Sequence, residues 1–187
     1  MRSWPLLVLA ACSDPVGPRP LHYELGSCGV VDIHDEVSGA HVPQGSLIEY
    51  PTNPPASGPH FPIWAAWDRS YSSLDRGFWM HNVEHGAIVL AHRCDEGCPD
   101  ELAQLEDVVR ALPTDALCTA PVRNRAIIVA DPLLPDGIRF AAVAWGVTYT
   151  ASCVDPDALQ TFSDDFYARA PEDFCTNGAS LGGTFIE

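Results

Sequence analysis

Five of the chain's seven histidines fall between positions 41 and 92, around two short segments. One is Pro54-Pro55-Ala56-Ser57-Gly58-Pro59-His60. The other is His81-Asn82-Val83-Glu84-His85-Gly86, with His41 upstream and His92 just beyond. Neutral imidazole is the commonest metal ligand and the side chain whose ordinary pKa lies nearest neutrality. These residue types therefore point to a transition-metal site or to acid–base chemistry. If His81 to His85 is helical, the two imidazoles lie one turn apart on the same face, the spacing that two ligands of one ion need. Gly86 would end that helix at little cost. His60 follows a Gly-Pro step whose stiffness lowers the entropy cost of holding a third ligand, and His41 supplies a fourth. Glu84 is either a further ligand or the group that fixes an imidazole tautomer. The candidate metal set is thus His41, His60, His81, His85 and Glu84. Histidines with one carboxylate suit Cu, Zn or Fe rather than Ca or Mg, which prefer oxygen alone. Met80 adjoins the set, but neighbours on a helix point apart.

Competing readings stay open. A lone histidine is more often a packed, hydrogen-bonded side chain than a ligand, and the whole set could be a structural network. His22, His34 and His92 read as structural or exposed. The run His81 to His85 also spells H-x-x-E-H, a metallopeptidase pattern with Glu84 as general base. Gly86 and the strand-like run after His85 cut short the long helix that pattern uses. Trp64, Trp67, Tyr71, Phe78 and Trp79 either line a pocket near the histidines or belong to the core.

The Ser57-Gly58-Pro59-His60 loop, the HN-x-EHG core at His81 to Gly86 and the later Ala144-Trp145-Gly146 resemble the bacterial domain-of-unknown-function family 3105. His41 fits that family's upstream histidine. The likeness runs from about residue 39 to residue 166, with Ala56 and Val83 as its two departures; neither removes a candidate ligand. It implies the domain type and no reaction.

The elements that must position these residues are read from periodicity. Residues 21–80 are rich in Pro, Gly and aromatics. Ser46 to Tyr50 fits a short strand, and Pro51 to Pro62, with five prolines, must be a loop. Ala87 to Ala91 reads as a buried strand. Pro99 to Leu112 puts Leu102, Leu105, Val108, Val109 and Leu112 on one helical face, with Pro99 at its first position. Ala126 to Ala130 is a second strand. Pro135-Asp136-Gly137 signals a turn, and Ile138 to Thr150 reads as one long strand paired back as a hairpin. A second helix starts at Asp155-Pro156, with Leu159, Phe162 and Phe166 on a common face. The expected fold is α+β: a mostly antiparallel sheet, helices on one face and a long Pro/Gly-rich N-terminal loop region.

The N-terminus bears on compartment. Met1 to Ser3 is a short positive stretch, and Trp4 to Ala11 is too short to span a bilayer but suits a secretory signal. Leu9-Ala10-Ala11-Cys12 resembles a bacterial lipobox, which implies cleavage before Cys12 and lipidation of it. The expected division is a signal peptide at 1–11, a lipidated Cys12 with a Pro-rich tether at 12–20, and one domain at 21–187. Ser13 after the cysteine favours the outer membrane by analogy with enteric bacteria. The formal charge of −15 repels phosphate backbones and anionic lipid heads, so nucleic acid is excluded as a partner and membrane attachment falls to the lipid.

Beyond Cys12 stand Cys28, Cys94, Cys98, Cys118, Cys153 and Cys175, an even number that argues for disulfides in an exported chain. Cys94–Cys98 is the favoured local loop, with the other four tying the N-terminal segment to later elements. Cys94 to Pro99 is also locally similar to the C-x-x-x-C-P of Sco-type copper chaperones. Against a reactive thiolate there, Asp95, Glu96, Asp100 and Glu101 crowd the turn, and each disfavours the anion. The expectation is a lipid-anchored envelope protein that binds Cu, Zn or Fe through its histidines. The alternatives are a metal-dependent hydrolase or oxidase using the same site, a structural envelope protein with packing histidines, and a Sco-like thiol or copper protein acting through Cys94 and Cys98.

Overall fold

The computed structural model describes residues 21–186, so the expected signal peptide, Cys12 and the tether lie outside the described residues. The strands are β1 (His22–Leu25), β2 (Gly29–Ile33), β3 (Arg69–Tyr71), β4 (Ile88–His92), β5 (Ala126–Ala130), β6 (Phe140–Ala144), β7 (Val147–Ala151) and β8 (Thr184–Phe185). The helices are α1 (Arg76–Glu84), α2 (Pro99–Ala111) and α3 (Pro156–Phe166). The strands form one sheet in the order β1-β2-β7-β6-β4-β5-β3-β8. Only β4–β5 and β5–β3 pair in parallel; the other neighbours are antiparallel. The fold is α+β with a mostly antiparallel sheet.

The central strands are apolar at successive positions because both faces are covered. On one face Ile88, Leu90, Ala126, Ile128, Phe140 and Ala142 meet Leu105, Val108 and Val109 of α2 and Leu159, Phe162 and Phe166 of α3. The two helices legible in the sequence thus share a face. The other face carries Val89, Ala91, Ile127, Val129, Ala141 and Val143, and against it pack Trp79, Met80 and Val83 of α1. Pro156 opens α3 behind Asp155, which caps it by accepting from the Ala158 N–H at 3.1 Å. Asp155 also accepts from the Ser27 N–H at 2.8 Å, which ties the β1–β2 turn to that helix.

Three sequence expectations are corrected. Ser46 to Tyr50 is not a strand: Ser46 closes a turn onto the Pro43 carbonyl, and Leu47 is 92% exposed, with no sheet beside it to bury it. Ile138 to Thr150 is two strands rather than one. β6 and β7 fold back at Trp145-Gly146, where Gly146 takes a φ of 73°. The turn at Pro135 to Gly137 does not make β5 and β6 a hairpin, because β4 lies between them. The crossover helix α2 brings β5 parallel to β4 instead. The β1–β2 hairpin, too short and too Gly-rich to carry a period, is an addition to the expected elements.

The cysteines pair as Cys28–Cys153, Cys94–Cys98 and Cys118–Cys175. The first fastens the β1–β2 hairpin to the end of β7. The third fastens the segment after α3 to the loop before β5. No helix among the described residues is long and apolar enough to cross a membrane.

Candidate functional site: a histidine and carboxylate cluster on α1

Helix α1 is the platform. Asp75 caps it by accepting from the Gly77 N–H at 2.7 Å, and Gly86, at φ 85°, follows its end. A Cβ on Gly86 would also strike the Ala168 backbone, so the close approach needs glycine. His81 and His85 lie on one side of α1, with ring centroids 4.5 Å apart. Asn82 points elsewhere: its amide donates to the Ala65 carbonyl and accepts from the Ala65 N–H, at 2.8 and 2.9 Å. That clamp holds the loop that lays Trp64 against both imidazoles, at 5.0 Å from His81 and 4.7 Å from His85.

His41 and His60 arrive on neighbouring loops joined as a short parallel bridge. The Val42 N–H donates to the His60 carbonyl at 2.8 Å, and the His60 N–H to the Ala40 carbonyl at 3.0 Å. Buried Ser57 holds the second loop by accepting from the Val37 N–H at 2.8 Å. The Tyr50 hydroxyl donates to the Pro59 carbonyl at 3.0 Å. Gly39 backs onto the cluster, and a Cβ there would overlap Glu84 Oε1.

The cluster itself comprises His41, His60, His81 and Glu84, each offering a ligand atom within 4.8 Å of the others. Ring centroids are 5.1 Å apart for His41–His60, 4.8 Å for His41–His81 and 4.6 Å for His60–His81. His60 Nδ1 faces the Gly58 carbonyl at 3.0 Å, and His81 Nδ1 faces the Phe61 carbonyl at 2.7 Å. A carbonyl only accepts, so each Nδ1 carries the proton and each Nε2 keeps its lone pair. His60 Nε2 lies 3.0 Å from Glu84 Oε2 yet makes no hydrogen bond, although it is fully buried. His41 is solvent-exposed and the other three members are buried, so the cluster opens at one side.

Burial favours the neutral imidazole at His60, His81 and His85. Burial lowers the pKa of His81 to about 4 and that of His85 to about 3, with the neighbouring histidines pushing the same way. Burial also depresses His60. Glu84 is pushed up to about 7 by burial and then by the charge of Glu172. Neutral imidazoles and a carboxylate reluctant to ionise alone are a donor set whose electrostatics a cation would relieve.

His85 stands outside the four-membered cluster. It groups instead with Glu84 and with Glu172, a residue that sequence reasoning did not single out. Glu172 lies in no motif, and its only signal is its place in the acidic stretch after α3. Met80 is buried in the core. Of the aromatics, Trp67, Tyr71 and Trp79 are core, Phe78 stacks on Phe61, and Trp64 alone of the five meets the rings. His22 pairs with Asp32 at the surface, and His34 with the Thr148 hydroxyl at 2.8 Å. His92 lies beside the Cys94–Cys98 disulfide, ligand atoms within 4.8 Å, and burial lowers its pKa.

Neither the curated proteins nor the solved structures give a match to the chain. A family model does: it spans residues 41–178, taking in all five candidate ligands and every element from β3 to α3, and the chain belongs to this family, described as Protein of unknown function (DUF3105).

Proposed function

We propose that this protein is an exported, lipid-anchored envelope protein that binds a transition-metal ion, Cu, Zn or Fe, through His41, His60, His81 and Glu84. One observation carries the metal reading. His60 and His81 each spend Nδ1 on a backbone carbonyl, which leaves both Nε2 lone pairs free, and His60 Nε2 lies 3.0 Å from Glu84 Oε2 with both side chains buried. A purely structural network would spend those nitrogens on donors, yet buried His60 Nε2 has none. Four ligands at about 2.1 Å from one ion stand roughly 3.4 Å apart in a tetrahedron, so the set needs only a modest contraction. Export and anchoring are supported by Leu9 to Cys12 and by the pairing of the other six cysteines.

A metal-dependent hydrolase or oxidase is the second reading. The exposed edge at His41 favours it, because a substrate could reach an ion there. Metal content decides the primary reading. The full-length protein in detergent, grown with added Cu, Zn or Fe, should carry at least one ion per chain by elemental analysis. A His60→Ala/His81→Ala variant should lose it. Wild-type protein without metal under all three supplements, and a variant altered only in melting temperature, would return the histidines to a packing role.

A further inference from the structure

A second group of donors adjoins the first and shares one member with it. Glu84, His85 and Glu172 offer ligand atoms within 4.8 Å of one another, and Glu84 also belongs to the set with His41, His60 and His81. His85 is 1% exposed, and neither of its ring nitrogens makes a hydrogen bond. Nε2 lies 3.1 Å from Glu172 Oε2, close enough for contact but off the direction a ring N–H would take. A buried polar nitrogen without a partner is costly, and a folded protein rarely leaves two on one ring.

The chain goes to some length to bring Glu172 there. Its N–H donates to the Glu84 carbonyl at 3.1 Å, and the Ala168 N–H donates to the Gly86 carbonyl at 3.0 Å. Buried Arg125 donates to the His85 carbonyl at 2.9 Å and to Asp173 at 2.7 Å, locking the neighbouring residue in place. Phe174 stacks on His85 at 3.8 Å, and Cys175 is bridged to Cys118. Arg125 pairs with Asp115 and Asp173, leaving Glu84 and Glu172 with histidines as their only ion partners among the described residues. The chain contains no lysine to neutralise them. Two carboxylates and an unpartnered imidazole are therefore gathered where no guanidinium pairs with either carboxylate.

We propose a second metal position formed by His85 and Glu172 and joined to the first through Glu84, so that the site holds two divalent transition-metal ions bridged by that carboxylate. The inference rests on the metal reading of the first cluster. A carboxylate has two oxygens, and ions bridged in this way stand about 3.5–4 Å apart. One histidine and two carboxylates make the second position harder than the first, which suits Zn, Fe or Mn more than Cu(I). Glu172 is half exposed, so this position also borders solvent.

Metal stoichiometry is the test. Full-length protein saturated with Zn(II) and freed of excess metal should carry two ions per chain. Glu172→Ala should carry one, and so should Glu172→Gln, which keeps the side chain's size. Loaded with Cu(II), the wild type should give the electron-spin signal of a coupled pair, and Glu172→Ala that of an isolated ion. Wild type saturating at one ion, with Glu172→Ala unchanged, would overturn the second position and leave the first standing. Two ions without spin coupling would overturn the shared carboxylate. A wild type that binds none would remove both readings together.

Discussion

His60 Nε2 and Glu84 Oε2 lie 3.0 Å apart, with both side chains buried. Burial depresses the imidazole's pKa and raises the carboxyl's, so at neutral pH the pair tends away from a full ion pair. Once Glu84 gives up its proton, each group has an electron pair to offer, and a cation between them satisfies both. A buried ion pair would instead have had to recover a desolvation cost of several kcal/mol per ion.

The same relationship sets the pH dependence of metal binding. A ligand must lose its proton first. His81 and His85 titrate near 4 and 3, so they hold no proton to release at pH 6, whereas Glu84 titrates near 7. Zn(II) affinity should rise about tenfold per pH unit below 7 and level off above roughly 8, with close to one proton released at pH 6. Calorimetric titration in two buffers of different ionisation enthalpy measures that proton directly. Release of two or more would mean that a histidine ligand is discharged as well as Glu84.

The metal-free protein should respond to acid in a different way. His81 and His85 titrate below the ordinary histidine value of 6.5. Above 6.5 neither the folded nor the unfolded state binds their protons. Below it the unfolded chain takes up protons that the fold refuses, so stability falls as pH drops from 6.5 toward 4. Glu84 acts in the opposite sense. Its value lies above the ordinary 4.5, so its contribution is full below 4.5 and is lost as pH rises through 7. The histidines outnumber it, so the melting temperature in chelator should decline between pH 6.5 and 4.5. At pH 8 Glu84→Gln should melt higher than wild type without metal and lower with saturating Zn(II). Calorimetric scans of both proteins under both conditions check the reversal.

Gly39 gives a test that substitutes none of the ligands. A Cβ at this position overlaps Glu84 Oε1, and the backbone there is one that alanine can adopt. Gly39→Ala should push the carboxylate off the His60–His81 axis and weaken Zn(II) binding about 10–100-fold, the usual scale for a residue that orients a ligand. Metal-free stability should change little, because Gly39 sits on an irregular loop. Equal affinity in variant and wild type would show that Glu84 is not a ligand.

The parts of this architecture legible in the sequence were those with a helical period or a continuous apolar run. α2 and α3 each keep one buried stripe, and β4 and β5 are unbroken apolar runs, so all four could be placed. α1 was legible only conditionally, from the spacing of His81 and His85. It is buried from Trp79 to Glu84 and so has no polar face to set a 3.6-residue rhythm. The split between β6 and β7 was hidden because Trp145 is apolar and Gly146 alone marks the turn. The convergence of His41 and His60 depends on a two-residue bridge between loops, a non-local contact that no spacing encodes. Glu172 was invisible for the same reason: its position is fixed by Arg125, Phe174 and the Cys118–Cys175 bridge, all of them tertiary.

Asn82 separates support of the site from membership in it. Its side chain is wholly buried and makes both hydrogen bonds to Ala65, one as donor and one as acceptor. Asn82→Ala removes both and leaves a backbone N–H and C=O of Ala65 without their partner, a loss of about 2–4 kcal/mol. For a chain of this size that corresponds to a fall of roughly 5–15 °C in melting temperature. The loop carrying Trp64 should loosen, and the indole fluorescence should shift to longer wavelength as its ring leaves His81 and His85. His60 and His81 keep their own carbonyl partners at Gly58 and Phe61, so Zn(II) should still bind, at reduced affinity. Asn82→Asp keeps the acceptor, loses the donor and buries a charge, and should melt lower than Asn82→Ala. Thermal scans and Zn(II) titrations on the two variants separate the effects, since a residue that ligated the ion would lose binding before it lost stability.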